Sequence, residues 1–191
     1  MKNYIRLLPL MIFPYAYILL IIAMSNIPNF PNDVAYEIIF GSVIVYLLLT
    51  LVCTVFGSIY AAKSRISPRT AAKLNLIVKA VQIPAYIFHF LMFLAGTLMS
   101  VWGIGVMIFA AAIDIFTIAL TGIHAIGCVV KTCKGGVVGK AAAVFMGIGS
   151  FIYCIDVVIA IVLMVMSNKY KDDYVKIKNG ENNAVQTDKS I

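Results

Sequence analysis

Between Ala80 and Val130 the chain carries one formal charge, Asp114, and between Ala141 and Asn168 it again carries one, Asp156. Apolar runs of this length are what a bilayer demands, because about 20 residues of helix cross its hydrocarbon core. In lipid each backbone polar group must be satisfied within its own segment, so such runs fold as helices and not as open sheet. The whole chain is 62% hydrophobic and 12% charged, with a mean hydropathy of +0.99, against roughly 45–50% apolar for a soluble domain. The expected fold is an all-α integral membrane bundle.

Five stretches are long and apolar enough to span, at about 7–26, 36–61, 74–98, 102–130 and 140–166. The third and fourth come from one run too long for a single crossing, and Gly96, Ser100, Gly103 and Gly105 supply a place to turn. Pro9 falls in the first turn of helix 1, where a missing N–H is harmless, whereas Pro14 and Pro84 fall inside helices and should kink them. Residues 1–166 thus read as one transmembrane domain, and 167–191 as a polar, disordered C-terminal tail.

Lysine and arginine positions set the expected orientation. Lys2 and Arg6 precede helix 1, Lys63, Arg65, Arg69 and Lys73 fill the second loop, and Lys131, Lys134 and Lys140 fill the fourth. The first and third loops have none. The N-terminus is therefore expected in the cytoplasm of a bacterial cell and the tail after Asn168 outside. Lys169, Lys171, Lys176 and Lys178 oppose that last placement, and a re-entrant helix 5 would bring the tail inside. Helix 1 also has signal-peptide features, with Ala23-Met24-Ser25 as a cleavage site, but its apolar stretch exceeds the usual 7–15 residues and contains Tyr15 and Tyr17.

The net charge of +7 is accounted for by loops facing anionic headgroups, so nucleic acid is not an expected partner. Cys53, Cys128, Cys133 and Cys154 make no Cys-x-x-Cys pair and read as ordinary thiols. The run from Gly135 to Lys140 is one residue short of a phosphate-binding loop and has Ala141 where Ser or Thr is required. His89 and His124 lack the spacing of a metal motif, and no nucleophile with a base is present. Neither an enzyme nor a cofactor is expected. Gly139, Ala143 and Gly147 form a small-residue ridge suited to close packing of helix 5 on a neighbour.

An ionised carboxylate at the bilayer centre costs about 2.5–3.5 kcal/mol or more, so Asp114 and Asp156 ask for a reason. Counting about 1.5 Å per residue from the cytoplasmic ends places His89, Asp114 and Asp156 about 22–24 Å deep, and Lys79 and His124 about 8–9 Å deep. At that depth Lys79 can snorkel its ammonium to the headgroups. Asn75, Lys79, Gln82, Tyr86 and His89 make one helical stripe; Asp114, Thr117, Thr121, His124 and Cys128 make a second; Ser150, Tyr153 and Asp156 lie close on the next helix. These stripes are expected to meet in a polar seam of His89, Asp114, Asp156, Gln82, Tyr86, Lys79 and His124. Pro84 should free a carbonyl near Ala80 beside it.

The stretch from Lys73 to Tyr86, Lys-Leu-Asn-Leu-Ile-Val-Lys-Ala-Val-Gln-Ile-Pro-Ala-Tyr, with an aspartate in each of the next two helices, resembles a family of small uncharacterised multi-pass membrane proteins from Gram-positive bacteria. The resemblance covers residues 36–166 and implies no activity. Three readings of the seam stand open. It can fix helix register through polar contacts, bind an ion or pass protons in a small transport protein, or serve an accessory or immunity-type subunit that binds another membrane protein. The expected partners are the lipid bilayer and, for so small a bundle, a second copy or another membrane protein.

Overall fold

The computed structural model describes residues 7–26, 32–63 and 66–170, and all regular structure among them is helical. The helices are α1 (Leu8–Ser25), α2 (Asn32–Lys63), α3 (Pro68–Leu98), α4 (Val101–Lys134), α5 (Lys140–Gly149) and α6 (155–170). Within α2, α3 and α4, the segments Gly41–Lys63, Pro68–Leu98 and Gly103–Lys134 are long and apolar enough to cross a membrane; Leu8–Leu20 and Lys140–Gly149 are shorter apolar helices. The chain is a membrane protein.

Helix α3 starts earlier than apolarity alone suggests. Ser67 caps it, its hydroxyl accepting from the Thr70 N–H at 3.1 Å, and Pro68 occupies the first turn, where no N–H is needed. Arg69 and Lys73 therefore belong to the helix and not to a loop. The α3–α4 hairpin turns through Met99 and Ser100, the latter at φ 55. The helices cross so closely beside this turn that a Cβ on Gly103 would collide with the Gly96 carbonyl. Glycine at both positions is what permits a turn this short.

The bundle buries polar side chains beside its apolar clusters and exposes large apolar ones. Thr50, Thr54, Asn75, Lys79, Gln82, His89, Thr117, Thr121, His124 and Asp156 are all buried. Phe56, Ile108, Phe145 and Leu98 stand 69%, 65%, 76% and 85% exposed. Lipid tails solvate the second set at no cost, whereas the charged members of the first set need partners, which neighbouring helices provide for Lys79, His89 and Asp156.

Pairwise packing gives the helix directions. Leu7 and Leu10 share a buried cluster with Leu74, Val78 and Leu120, while Tyr17 reaches Met92 and Phe109, so α1 runs alongside α3 in the same sense. Ala61 of α2, Ala71 of α3 and Cys128 of α4 form another cluster. It lies where Lys63, Arg69, Lys131 and Lys134 gather, the basic end of the bundle.

The expected single helix at 140–166 is interrupted. Helix α5 stops at Gly149, residues 150–154 form a turn with Cys154 at φ 65, and α6 begins at 155. A Gly/Ser pair, Gly149-Ser150, is a common place for a helix to break, and Asp156 in the next first turn favours a restart because a carboxylate suits a helix N-terminus. The chain then reverses. Phe151 at the tip lies over Gly122, Leu163 packs with Ala72, Val129 and Val138, and the Arg69 Nε donates to Asn168 Oδ1 at 2.7 Å. A Cβ on Gly136 would sit 3.4 Å from the Tyr170 hydroxyl. Helices α5 and α6 thus start and finish at the basic end. The segment is a helical hairpin, and the expectation of one continuous helix at 140–166 is corrected accordingly. The residues after Tyr170, assigned to a tail from the sequence, lie outside the described residues.

Candidate functional site

The seam residues gather along the inner face of α3, but in two centres instead of one. His89 stands ten residues beyond Lys79, which separates the centres by about 15 Å along the helix axis. In the centre farther from the basic end, the buried His89 imidazole bridges two helices. Its Nδ1 shares a hydrogen bond of 2.5 Å with Asp114 Oδ1 on α4, and its Nε2 shares one of 2.7 Å with the Tyr17 hydroxyl on α1. The Tyr17 ring also stacks against the imidazole, with centroids 5.7 Å apart. A side chain with a polar group on each ring nitrogen can give a proton to one side while taking one from the other.

The Asp114 carboxylate keeps 15% of its surface accessible. It faces an open cavity of about 480 Å³, lined among others by His89, Phe90, Phe93, Phe151 and Tyr153. Phe151 and Tyr153 bring the tip of the hairpin to one wall of this cavity.

The second centre is closed. Lys79 Nζ lies 2.6 Å from Asp156 Oδ2 and donates to Thr121 Oγ1 at 2.6 Å, with both charged side chains 0% exposed. Thr121 in turn donates to the Thr117 carbonyl at 2.9 Å, and Asp156 Oδ1 accepts from the Val157 N–H at 2.8 Å. Burial of an ion pair requires such additional bonds, because attraction between the two charges alone barely offsets their desolvation. The expectation that Lys79 snorkels to the headgroups is overturned: it finds a carboxylate within reach. The shared depth of Asp156 with His89 and Asp114 is overturned too, because α5 stops at Gly149 after 10 residues and the chain turns there, which leaves Asp156 in the first turn of α6 at the level of Lys79.

Gln82 and Tyr86 lie between the centres. The Tyr86 hydroxyl is 3.4 Å from Gln82 Oε1, and its ring packs on Tyr153 at 5.2 Å. Gln82 Nε2 donates at 3.0 Å to the carbonyl of Leu10. That carbonyl would ordinarily serve the N–H of residue 14, which is Pro14 and has none. A proline in one helix therefore explains a buried glutamine in another. Near Pro84 the carbonyl that meets a side chain is that of Val81, which accepts from the Tyr15 hydroxyl, in place of the Ala80 carbonyl expected from the sequence.

His124 is buried on the same face of α4 but joins neither centre. Its Nε2 is 3.5 Å from Cys128 Sγ, and Nδ1 has no hydrogen-bond partner among the described residues. The same holds for both amide atoms of Asn75. These two residues make a polar strip between Lys79 and the basic end. Among the described residues no three His, Cys, Asp or Glu side chains group as metal ligands, and the four cysteines are free.

Sequence spacing placed Tyr86, Gln82, His89 and Lys79 on one face correctly, but missed Tyr17 and Thr121 as partners. Thr121 was visible on the α4 stripe. Tyr17 was not, because helix 1 has no polar stripe to say which way it faces. No family model, no curated protein and no solved structure matches this chain.

Proposed function

We propose that this is a small multi-pass transport protein of the bacterial cytoplasmic membrane, coupling proton or cation movement to the two acid–base centres on α3. In this reading α1 to α4 each cross the bilayer and the basic end, with the N-terminus, faces the cytoplasm. The α5–α6 hairpin enters from that side and returns to it. The basic residues support the orientation, since Arg69, Lys131, Lys134, Lys140 and Lys169 all fall at one end. With α6 descending, Lys169 obeys the positive-inside bias that it would break at the end of a fifth span.

The observation that carries the reading is a difference in access. Asp114 faces an open cavity beyond the hairpin tip, whereas Lys79 and Asp156 are sealed beneath it. Alternating access needs a site reached from one side and closed from the other, and irregular backbone at membrane depth is tolerated where it lines such a cavity. Protons arrive through the cavity at Asp114 and His89. Tyr86 and Gln82 occupy the span toward Lys79 and Asp156, and displacement of the hairpin opens Asp156 toward the basic end.

The test is proton entry into vesicles containing the purified protein and a pH-sensitive dye, under an imposed pH gradient. Entry above that of empty vesicles, lost in Asp114→Asn, is the expected result. Folded protein that conducts no better than empty vesicles would refute the reading and favour the accessory-subunit alternative, for which crosslinking in the native membrane should yield one dominant partner.

A further inference from the structure

On the opposite side of α4 from the seam, an apolar groove of about 650 Å³ runs between the end of that helix and α5. Ile126, Val130, Val144, Ile148 and Phe151 give it apolar walls, and Lys134 and Lys140 line it at the basic end. The small-residue ridge of α5 was expected to hold that helix tight against a neighbour. Instead, a Cβ on Gly139 or on Gly147 would meet nothing within 4 Å, and Ala143 and Gly147 form part of the groove lining. The ridge opens a channel that no part of the described chain fills.

We infer that this groove is a binding site for one anionic glycerophospholipid, its acyl chains along the apolar walls and its phosphate between Lys134 and Lys140. Both lysines are exposed, and no hydrogen bond or ion pair engages either among the described residues. Two cations at one end of an otherwise apolar groove match the layout of a phospholipid, with charge at the surface and hydrocarbon below it. A second copy of the chain is the other occupant that an open small-residue ridge could take. Two-fold pairing across this face would bring its lysines toward those of the partner with no carboxylate among the groove residues to offset them, which favours the anionic lipid.

The experiment is native mass spectrometry of the whole protein released from detergent with phosphatidylglycerol or phosphatidylcholine of matched acyl chains. The wild type should retain phosphatidylglycerol preferentially. Lys134→Gln/Lys140→Gln should remove about a 25-fold preference, a factor of about five for each lysine at a membrane surface. Gly147→Leu, which fills the groove, should lower retention of both lipids while leaving the helical circular dichroism unchanged. Equal retention of the two lipids by the wild type, or a preference unaltered in the double variant, would overturn the assignment. So would a lipid-independent dimer that Gly147→Leu dissociates, which would make the groove an interface between copies. Neither result depends on whether the seam conducts protons.

Discussion

Lys79 and Asp156 contact each other at 2.6 Å with both side chains wholly buried, and the contact exists because α5 ends at Gly149 and the chain turns there. Were 140–166 one continuous helix, Asp156 would lie near His89 and Lys79 would have no counter-charge. The ion pair and the hairpin therefore depend on each other.

Removing one partner should cost about 3–5 kcal/mol, because an uncompensated charge is left in the interior. Asp156→Leu is expected to lower the unfolding free energy in mild detergent by that amount, as is Lys79→Met. The double replacement Lys79→Met/Asp156→Leu should recover most of it, since a buried pair exchanged for apolar groups is often neutral. Additive losses in the double variant would show that the two residues do not act as a pair.

The hairpin makes a topological statement that labelling can test. In a cysteine-free background, Gly139→Cys and Lys169→Cys should react with a membrane-impermeant maleimide from the same side, and Met99→Cys from the other. Reaction of positions 139 and 169 from opposite sides would restore the fifth crossing.

Pro14 and Gln82 should be coupled although they sit on different helices. Gln82→Leu leaves the Leu10 carbonyl without a donor, a loss of about 1–3 kcal/mol. In a Pro14→Ala background the new N–H of residue 14 can bond that carbonyl within α1, so the same glutamine replacement should cost less. Equal costs in the two backgrounds, measured by denaturation, would contradict the pairing.

Tyr17→Phe removes the hydroxyl shared with His89 Nε2 and should cost about 0.5–1.5 kcal/mol, with a change in the imidazole nitrogen chemical shifts. Unchanged shifts would mean that Tyr17 does not hold the ring.

Much of this architecture was legible in the residues. Charge segregation identified the membrane, the glycines around Ser100 marked the α3–α4 turn, and 3.6-residue periodicity put Lys79, Gln82, Tyr86 and His89 on one buried face. The break at Gly149-Ser150 was not legible, because hydropathy measures how apolar a run is and not whether it is continuous. A Gly-rich apolar stretch reads identically as one span or as two shorter helices. Lys169, Lys171, Lys176 and Lys178 were the available clue, since they fit the positive-inside rule only if the chain returns. The start of α3 was missed for a related reason: a hydropathy window excludes Arg69 and Lys73, whereas the Ser67-Pro68 cap includes them.

The central claim is that the buried charges serve proton or cation movement beyond holding the helices together. The most direct test is flux through vesicles containing Lys79→Met/Asp156→Leu, the variant in which the charges are gone but the stability should be kept. Wild-type stability with proton entry reduced to that of empty vesicles is the expected result. Wild-type stability with undiminished entry would contradict the claim and leave the Lys79–Asp156 pair as a fastening between α3 and α6.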